Sequence, residues 1–139
     1  MRVVLDTNVL LSALISPYGT SDIIYRSWLT AKFELVTSVT QLDELRRASR
    51  YPKFKAILQP SRVGTMINNL QHAIILDQDH LIAPIELNDP NDTFLLSMAI
   101  AGMADYLVTG DRRAGLLQKE NIGRTRVMTP AVFCEKITK

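Results

Sequence analysis

The chain has 139 residues, 47% of them hydrophobic and 22% charged, so its length and composition predict one globular domain over residues 1–139. A net charge of +2 is too small by itself to indicate a polyanionic partner. The single cysteine excludes an internal disulfide and, without a Cys/His cluster, argues against structural zinc. No apolar stretch reaches the roughly 18 residues of a membrane helix. Together these features predict a cytoplasmic protein without a membrane span.

Short apolar runs alternate with segments of helical period along the chain. The apolar runs predict strands at residues 3–5, 33–37, 73–76, 106–109 and 126–128. Between them, helices are predicted at residues 9–15, 21–31, 39–49, 61–71 and 91–101, with a short one after Pro130. Ser38 with Gln41 forms a capping-box pattern that starts the third helix, and Tyr51-Pro52 marks its end. This alternation predicts an α/β fold with a small parallel sheet covered by helices on both sides.

Two aspartates directly follow predicted strands. Asp6 ends the first apolar run, and Asp111 follows the fourth run through the turn at Gly110. If both strands are parallel in one sheet, the two carboxylates reach the same edge, which is where open α/β sheets bind ligands. Each also has a purely structural interpretation, since Asp6 can cap the next helix and Asp111 can belong to an ordinary Gly-Asp turn.

Further acids stand on predicted helices. Asp89 and Asp92 flank a Pro-Asn pair where a helix begins, with Asp89 as its N-cap, and they would stabilise that helix start without any other role. Glu44 lies within the third helix. Taken alone, Asp43 and Glu44 are more simply surface residues that pair with Arg46 or Arg47 at helical spacing.

Four acids at the ends of elements together suggest a cation site. Carboxylates that converge on one crevice repel one another by roughly 3 kcal/mol per pair at about 5 Å and an effective dielectric constant near 20. Such a cluster needs protons or cations, and a set of oxygen donors suits Mg²⁺ or Mn²⁺ better than zinc. The chemistry typical of that site is the transfer of a phosphoryl group to water.

The motifs also resemble those of a known family, the PIN-domain nucleases. The similar segments lie in the family's order along the chain and are Val3-Val4-Leu5-Asp6-Thr7-Asn8-Val9-Leu10, Ser38 to Leu45, Asp89-Pro90-Asn91-Asp92 and Leu107-Val108-Thr109-Gly110-Asp111. The closing Thr129-Pro130-Ala131-Val132-Phe133 is similar to the tail of the VapC-like subgroup, which comprises toxins of type II toxin–antitoxin pairs. The resemblance implies a metal-dependent endoribonuclease with an acidic pocket at the carboxyl edge of a parallel sheet.

Carried over to this chain, the resemblance implies both the metal ligands and their neighbours. The acids that would bind Mg²⁺ or Mn²⁺ and act in catalysis are Asp6, Glu44, Asp92 and Asp111. Asn8 and Thr109 match polar positions beside the metal and would orient water or substrate, with turn chemistry as the alternative. Thr93 stands where many members of the subgroup have another acid, which makes Asp89 the candidate substitute.

The remaining charges suit an RNA substrate. Without the four acids, 16 basic residues face only the other ten of the 14 acidic ones. The basic side chains that flank two of the motifs, and that we expect to contact the RNA backbone, are Arg46, Arg47, Arg50, Lys53, Arg112 and Arg113. The resemblance implies an antitoxin partner. Apolar residues on the early helices, such as Ile23, Trp28 and Leu29, suggest a face for a homo-oligomer or for that antitoxin.

Two other functions remain open from the sequence. Haloacid-dehalogenase-like phosphatases also place an Asp after the first strand, but they need a second acid two positions later, where this chain has Asn8. They also need a well-placed downstream lysine, and Lys119 fits that position poorly. The other alternative is a PIN-like scaffold that binds RNA or protein without catalysis. Such a scaffold would typically lack one of the four acids, and this chain has them all.

Overall fold

The computed structural model describes residues 1–77, 90–110 and 121–138 and contains a six-stranded sheet in the order β3-β2-β1-β4-β6-β5. The strands are β1 Arg2–Leu5, β2 Glu34–Ser38, β3 Ile74–Leu76, β4 Tyr106–Val108, β5 Asn121–Ile122 and β6 Thr125–Met128. All pairs are parallel except β5 with β6. The carboxyl ends of five strands therefore share one edge of the sheet.

The described helices account for most of the remaining residues. They are α1 Thr7–Ile15, α2 Thr20–Leu29, α3 Val39–Ala48, α4 Pro52–Lys55, α5 Pro60–Leu70, α6 Pro90–Ala101 and α7 Pro130–Thr138. Each predicted helix is present, with its bounds shifted by at most two residues. Within the described part of the chain, no helix combines the length and apolarity needed to span a bilayer. The predicted α/β class, with a mostly parallel sheet between helices, is confirmed.

Alternation along the strands separates two apolar cores, one on each face of the sheet. In β1, Val3 and Leu5 pack into the core formed with α1, α2, α3, α5 and α7, while Val4 packs on the opposite face against α6. Both cores are deeply buried, since Val3 and Val4 are 0% exposed. An uninterrupted apolar run is what a strand needs when helices cover both of its faces.

Two short elements were missed by the sequence prediction. The β5–β6 hairpin adds an antiparallel strand at the edge of the sheet, and its turn uses Gly123 at a φ of +57°, a conformation that glycine adopts readily. A two-residue strand is too short to show a periodic pattern. The second missed element is helix α4, which begins at Pro52. A proline that ends one helix is also suited to the first position of the next helix.

Helix α6 runs antiparallel to the strands that it covers. Near its C-terminal end, the carbonyl of Gly102 accepts a hydrogen bond from Arg2 Nη1 at 3.2 Å, at the amino end of β1. Further back along the helix, Met98 Sδ lies 3.5 Å from Ser38 Oγ, at the carboxyl end of β2. The N-terminal turn of α6 therefore projects toward the carboxyl edge of the sheet.

Candidate functional site at the carboxyl edge of the sheet

Asp6 lies where β1 ends and α1 begins, and its side chain is almost fully buried, with 1% of the residue exposed. Its backbone N–H donates to the carbonyl of Val108 at 2.9 Å, which continues the pairing of β1 with β4. The carboxylate oxygen Oδ1 accepts from the backbone N–H of Asn8 at 3.2 Å and caps α1. The capping role considered as an alternative is therefore present, and it also fixes the carboxylate at the sheet edge.

Thr109 holds the other oxygen of the same carboxylate. It follows β4 directly, is 1% exposed, and donates from Oγ1 to Asp6 Oδ2 at 2.9 Å. Because β1 and β4 are parallel neighbours, their ends bring these two residues together although they are distant in sequence. Asn8, the other predicted supporting residue, reaches Asp6 through its backbone N–H, and its side chain is exposed.

Glu44 extends from α3 toward the same edge. The hydroxyl of Ser38 accepts from the backbone N–H of Gln41 at 3.0 Å, which starts the helix as the sequence predicts. One turn later, Glu44 Oε2 accepts a hydrogen bond from Thr7 Oγ1 at 3.2 Å, directly beside Asp6. The surface-pair interpretation applies to its neighbour Asp43, which forms the ion pair with Arg46 at 3.1 Å.

Burial and neighbouring groups, Asp6 among them, shift the pKa of Glu44. Burial raises the pKa of Glu44 above its ordinary value, and the nearby charge of Asp6 raises the pKa further. The hydrogen bond from Thr7 and the charge of Arg47 act in the opposite direction. The two carboxylates therefore crowd one another at neutral pH, which is the condition that a bound cation relieves.

Asp92 lies in the first turn of α6 and is buried, with 1% exposed. With a helix rise of about 1.5 Å per residue, Asp92 lies roughly 9 Å along the helix axis from Met98. Since Met98 lies beside Ser38 at the end of β2, Asp92 is beyond that end, on the carboxyl side of the sheet. Asp92 thus approaches the edge that carries Asp6. Within residues 1–77, 90–110 and 121–138, however, no three Asp, Glu, His or Cys side chains form a group that could hold a metal ion.

Four predicted site residues lie outside the part of the chain that the structure describes, namely Asp89, Asp111, Arg112 and Arg113. The structure therefore places three of the four predicted acids. It brings Asp6 and Glu44 into one site and sets Asp92 on the same edge.

A buried amide, Gln41, also belongs to this edge and was missed as a site residue. Its Nε2 donates to the carbonyl of Leu5 at 2.7 Å and contacts Thr7 Oγ1 at 3.4 Å. Its Oε1 accepts from Thr37 Oγ1 at 2.7 Å. The capping-box pattern predicts that this side chain turns back to the start of its own helix. It instead forms hydrogen bonds with Leu5 of β1 and Thr37 of β2. Gln41 shares the buried face of α3 with Leu45, and this position in the helical pattern could have identified it as a buried polar residue.

Two of the predicted RNA-binding cations, Arg46 and Arg50, line one cavity together with Lys55. This hollow of about 540 Å³ lies between α3, α4 and α5, and its floor includes Leu58 and Ile67. Lys53 lies nearby on α4, with its ammonium 4.9 Å from the centre of the Phe54 ring. Arg47 is exposed on α3. Arg46 and Arg47 thus share α3 with Glu44, and the other cations follow in the connection to α4 and on α4 itself.

The donor chemistry of the site fits a hard divalent cation. Asp6 and Glu44 offer only carboxylate oxygens, and each accepts a hydrogen bond from a threonine hydroxyl, Thr109 for Asp6 and Thr7 for Glu44. Mg²⁺ and Mn²⁺ prefer oxygen ligands, whereas zinc sites generally include nitrogen or sulfur. The repulsion between Asp6 and Glu44 also favours a cation beside them.

Fold and site together define an α/β protein with acidic residues at the carboxyl edge of a mostly parallel sheet. A family model described as PIN domain matches residues 2–113, and the chain belongs to this family. The resemblance inferred from the motifs is therefore confirmed.

A solved structure has a similar fold. It is the crystal structure of VapBC2 from Rickettsia felis bound to a DNA fragment from their promoter, with a TM-score of 0.57 and 20% sequence identity. The similarity covers 93% of this chain and 98% of that chain. None of the curated proteins compared with the chain is a significant match.

Proposed function

We propose that this protein is a Mg²⁺- or Mn²⁺-dependent endoribonuclease that acts as the toxin of a toxin–antitoxin pair. The observation that supports the proposal most is the hydrogen bond from Thr7 Oγ1 to Glu44 Oε2, because Thr7 directly follows Asp6 at the end of β1. Asp92 and Asp111 complete the proposed set of ligands. Membership of the PIN domain family supports the same assignment.

The residues around the acids prepare the site in distinct ways. Thr109 and the Asn8 N–H hold the two oxygens of Asp6, and Thr7 holds one oxygen of Glu44. Held by these hydrogen bonds, the carboxylates lose little conformational entropy when they bind a ligand. A bound Mg²⁺ or Mn²⁺ would activate the attacking water and stabilise the leaving oxygen of the phosphodiester.

The basic cavity supports RNA as the substrate. Arg46, Arg50 and Lys55 offer three cations on the segment that continues from Glu44. We assign the RNA backbone to this surface, together with Arg47, Lys53 and the Arg112-Arg113 pair. Cations around an acidic centre suit a polyanion whose flanking phosphates are held while one phosphodiester is hydrolysed.

An antitoxin partner fits the similar crystal structure, which is a complex of VapBC2 with promoter DNA. On this chain, α2 exposes Ile23 and Leu29, which are 38% and 48% exposed, while Trp28 is partly buried against the core. We assign this face to the antitoxin or to a second copy of the chain. The same proposal treats residues 1–139 as one PIN domain that acts in the cytoplasm.

Cleavage of single-stranded RNA tests the proposed activity. We expect the wild-type protein to cut with Mg²⁺ or Mn²⁺ and to lose the activity in EDTA. Asp6→Asn and Glu44→Gln should lower the cleavage rate at least a hundredfold, because each removes a charged ligand. Asp43→Asn is the matched control, since Asp43 neighbours Glu44 but pairs with Arg46 at the surface.

The same assay separates the alternatives. Hydrolysis of a small phosphomonoester but not of RNA would favour a phosphatase, although membership of the PIN domain family argues against it. RNA binding without turnover under either metal would identify a non-catalytic scaffold. Undiminished cleavage by Asp6→Asn would remove the proposed site.

A further inference from the structure

A chain of hydrogen bonds through buried polar side chains leads to Glu44. It starts at Thr37, passes through the Gln41 carboxamide to the Thr7 hydroxyl, and ends at the Glu44 carboxylate. Gln41 and Thr37 are 1% and 0% exposed. Because a buried amide is costly unless its polar atoms are hydrogen-bonded, the position of this side chain is strongly determined.

We propose that Gln41 is a positioning residue that orients the Thr7 hydroxyl and thereby fixes the Glu44 carboxylate beside Asp6 for binding a divalent cation. The proposal rests on the proposed metal-dependent function and assigns a role to two residues that take no part in that function as ligands. It concerns only residues that the structure describes.

The direction of each hydrogen bond follows from the chemistry of the donors. The carbonyl of Leu5 can only accept, so the end of the Gln41 carboxamide that lies 2.7 Å from it is Nε2, and Oε1 accepts from Thr37 Oγ1 at 2.7 Å. The second proton of Nε2 points to Thr7 Oγ1 at 3.4 Å. The threonine oxygen therefore accepts from Gln41, and its single proton is left for Glu44 Oε2 at 3.2 Å.

The network controls an otherwise flexible side chain. Glutamate has three rotatable side-chain bonds, and Glu44 is only half-buried, so packing alone restrains it weakly. A directed hydroxyl donor selects the rotamers that bring Oε2 over the N-terminus of α1. That is where Asp6 lies, with its carboxylate held by Thr109.

Binding of Mn²⁺ alone, followed by electron paramagnetic resonance, tests this role without reference to turnover. Gln41→Met keeps the length of the side chain and removes both hydrogen-bonding ends. Removal of groups that orient metal ligands typically weakens metal binding by about 10–100-fold, and we expect a loss of about tenfold here. Thr7→Val should give a similar loss, whereas Thr7→Ser, which keeps the hydroxyl, should bind Mn²⁺ like the wild type.

The double variant distinguishes positioning from general stability. If Gln41 acts through Thr7, Gln41→Met should add less than a twofold further loss of Mn²⁺ affinity in the Thr7→Val background. Gln71→Met is the matched control substitution, because Gln71 is an exposed glutamine that donates to Ile67 O on α5. Ala48→Gly controls for weakening of α3, because it destabilises the same helix away from the network.

The outcomes separate the two proposals. If Asp6→Asn abolishes Mn²⁺ binding but Gln41→Met and Thr7→Val both bind within twofold of the wild type, the positioning role is wrong and the metal site stands. If Asp6→Asn itself binds Mn²⁺ normally, the proposed function fails first. Should Gln41→Met not fold, the contrast between Thr7→Val and Thr7→Ser decides the matter, and equal affinity of the two overturns the proposal.

Discussion

Asp6 shows how one residue can serve the fold and the site at once. Its carboxylate caps α1 through the Asn8 N–H and receives the Thr109 hydroxyl. The helix N-terminus, with its partial positive charge, stabilises a buried negative charge there. A structural interpretation of Asp6 and a functional one are therefore compatible, because both require the same ionised carboxylate at the end of β1.

Charge crowding at Glu44 gives a prediction for the metal-free protein. Since burial and the Asp6 charge raise the pKa of Glu44, ionised Glu44 opposes folding at neutral pH. Glu44→Gln should raise the free energy of unfolding without metal by about 0.5 kcal/mol. In the wild type, Mn²⁺ at about 100 times its Kd should add about 2.7 kcal/mol, and the variant should lose this gain.

Urea unfolding with and without Mn²⁺ measures both effects, with Asp43→Asn as the control. The control should unfold within about 0.5 kcal/mol of the wild type and keep the full gain from Mn²⁺. A Glu44→Gln protein that is stabilised by Mn²⁺ as strongly as the wild type would show that Glu44 is not a ligand.

At the scale of elements, replacing glycine by alanine is expected to change the free energy of unfolding in opposite directions at two positions in or next to helices. A Cβ at Gly102, just after α6, would lie 2.6 Å from Val36 Cγ1 on β2. Gly64, on the exposed side of α5, has no atom within 4 Å of a built Cβ. The close approach of the end of α6 to β2 therefore requires glycine at position 102. Position 64 on α5, in contrast, has room for a side chain.

We expect Gly102→Ala to lower the free energy of unfolding by about 1–3 kcal/mol, because it overpacks the interface between α6 and the sheet. Gly64→Ala should raise the free energy of unfolding by about 0.5–1 kcal/mol through helix propensity alone. Thermal unfolding of the two variants checks the pair. Equal effects of the two substitutions would contradict the tight packing of α6.

Asp105 joins several elements at the amino edge of the sheet, opposite the site. Its Oδ2 accepts from the Arg2 backbone N–H at 2.8 Å, and its Oδ1 pairs with Arg124 Nη2 at 2.8 Å. These contacts connect β1, β4 and the β5–β6 turn. They also show that Arg124 is engaged away from the basic cavity.

The hydrogen bond from Arg2, followed by the one from Arg124, lowers the pKa of Asp105. A lowered carboxyl pKa contributes stability above the unfolded-state pKa, and this contribution is lost as the pH falls through the lowered value. Asp105→Asn should therefore cost about 0.5–1 kcal/mol at pH 7, since the pair is largely exposed. Urea unfolding should show a stability difference between wild type and variant that shrinks as the pH falls below about 4, and a difference that does not shrink on acidification would contradict the assignment.

At the scale of the whole molecule, acids at the carboxyl edge of the sheet and a basic cavity are connected through α3. Asp6, Glu44 and Asp92 approach the carboxyl edge, and the basic cavity lies beyond Glu44 along α3 and α5. Lys32 precedes β2 and therefore lies at the opposite edge. On the proposed assignment, an RNA strand that spans the acids and the basic cavity would contact Arg50 and Lys55 but not Lys32.

The salt dependence of RNA affinity tests this arrangement. Each phosphate contact to a single strand contributes about 0.7 to the slope of log K against log salt, so Arg50→Gln with Lys55→Gln should reduce the slope by about 1.4. Lys32→Gln should leave the slope unchanged. Fluorescence anisotropy with a short RNA, in EDTA so that no cleavage occurs, measures the RNA affinity of the wild type, the double variant and Lys32→Gln. An unaltered slope for the double variant would place the RNA elsewhere.

The sequence by itself determined the alternation of strands and helices, the acid at the end of β1, and the family. These features are local, since a buried strand needs a continuous apolar run and a helix start needs a cap such as Ser38. A two-residue edge strand and the one-turn helix α4 escaped prediction because neither is long enough to display a period.

Only the tertiary structure decided how Glu44 is held at the site. Asp43 and Glu44 are adjacent and chemically alike, yet one pairs with Arg46 at the surface and the other meets Thr7 from α1. The same holds for Gln41, whose partners come from the ends of β1 and β2. Such contacts depend on the packing of α3 against α1 and the sheet, and that packing brings together residues far apart in the chain.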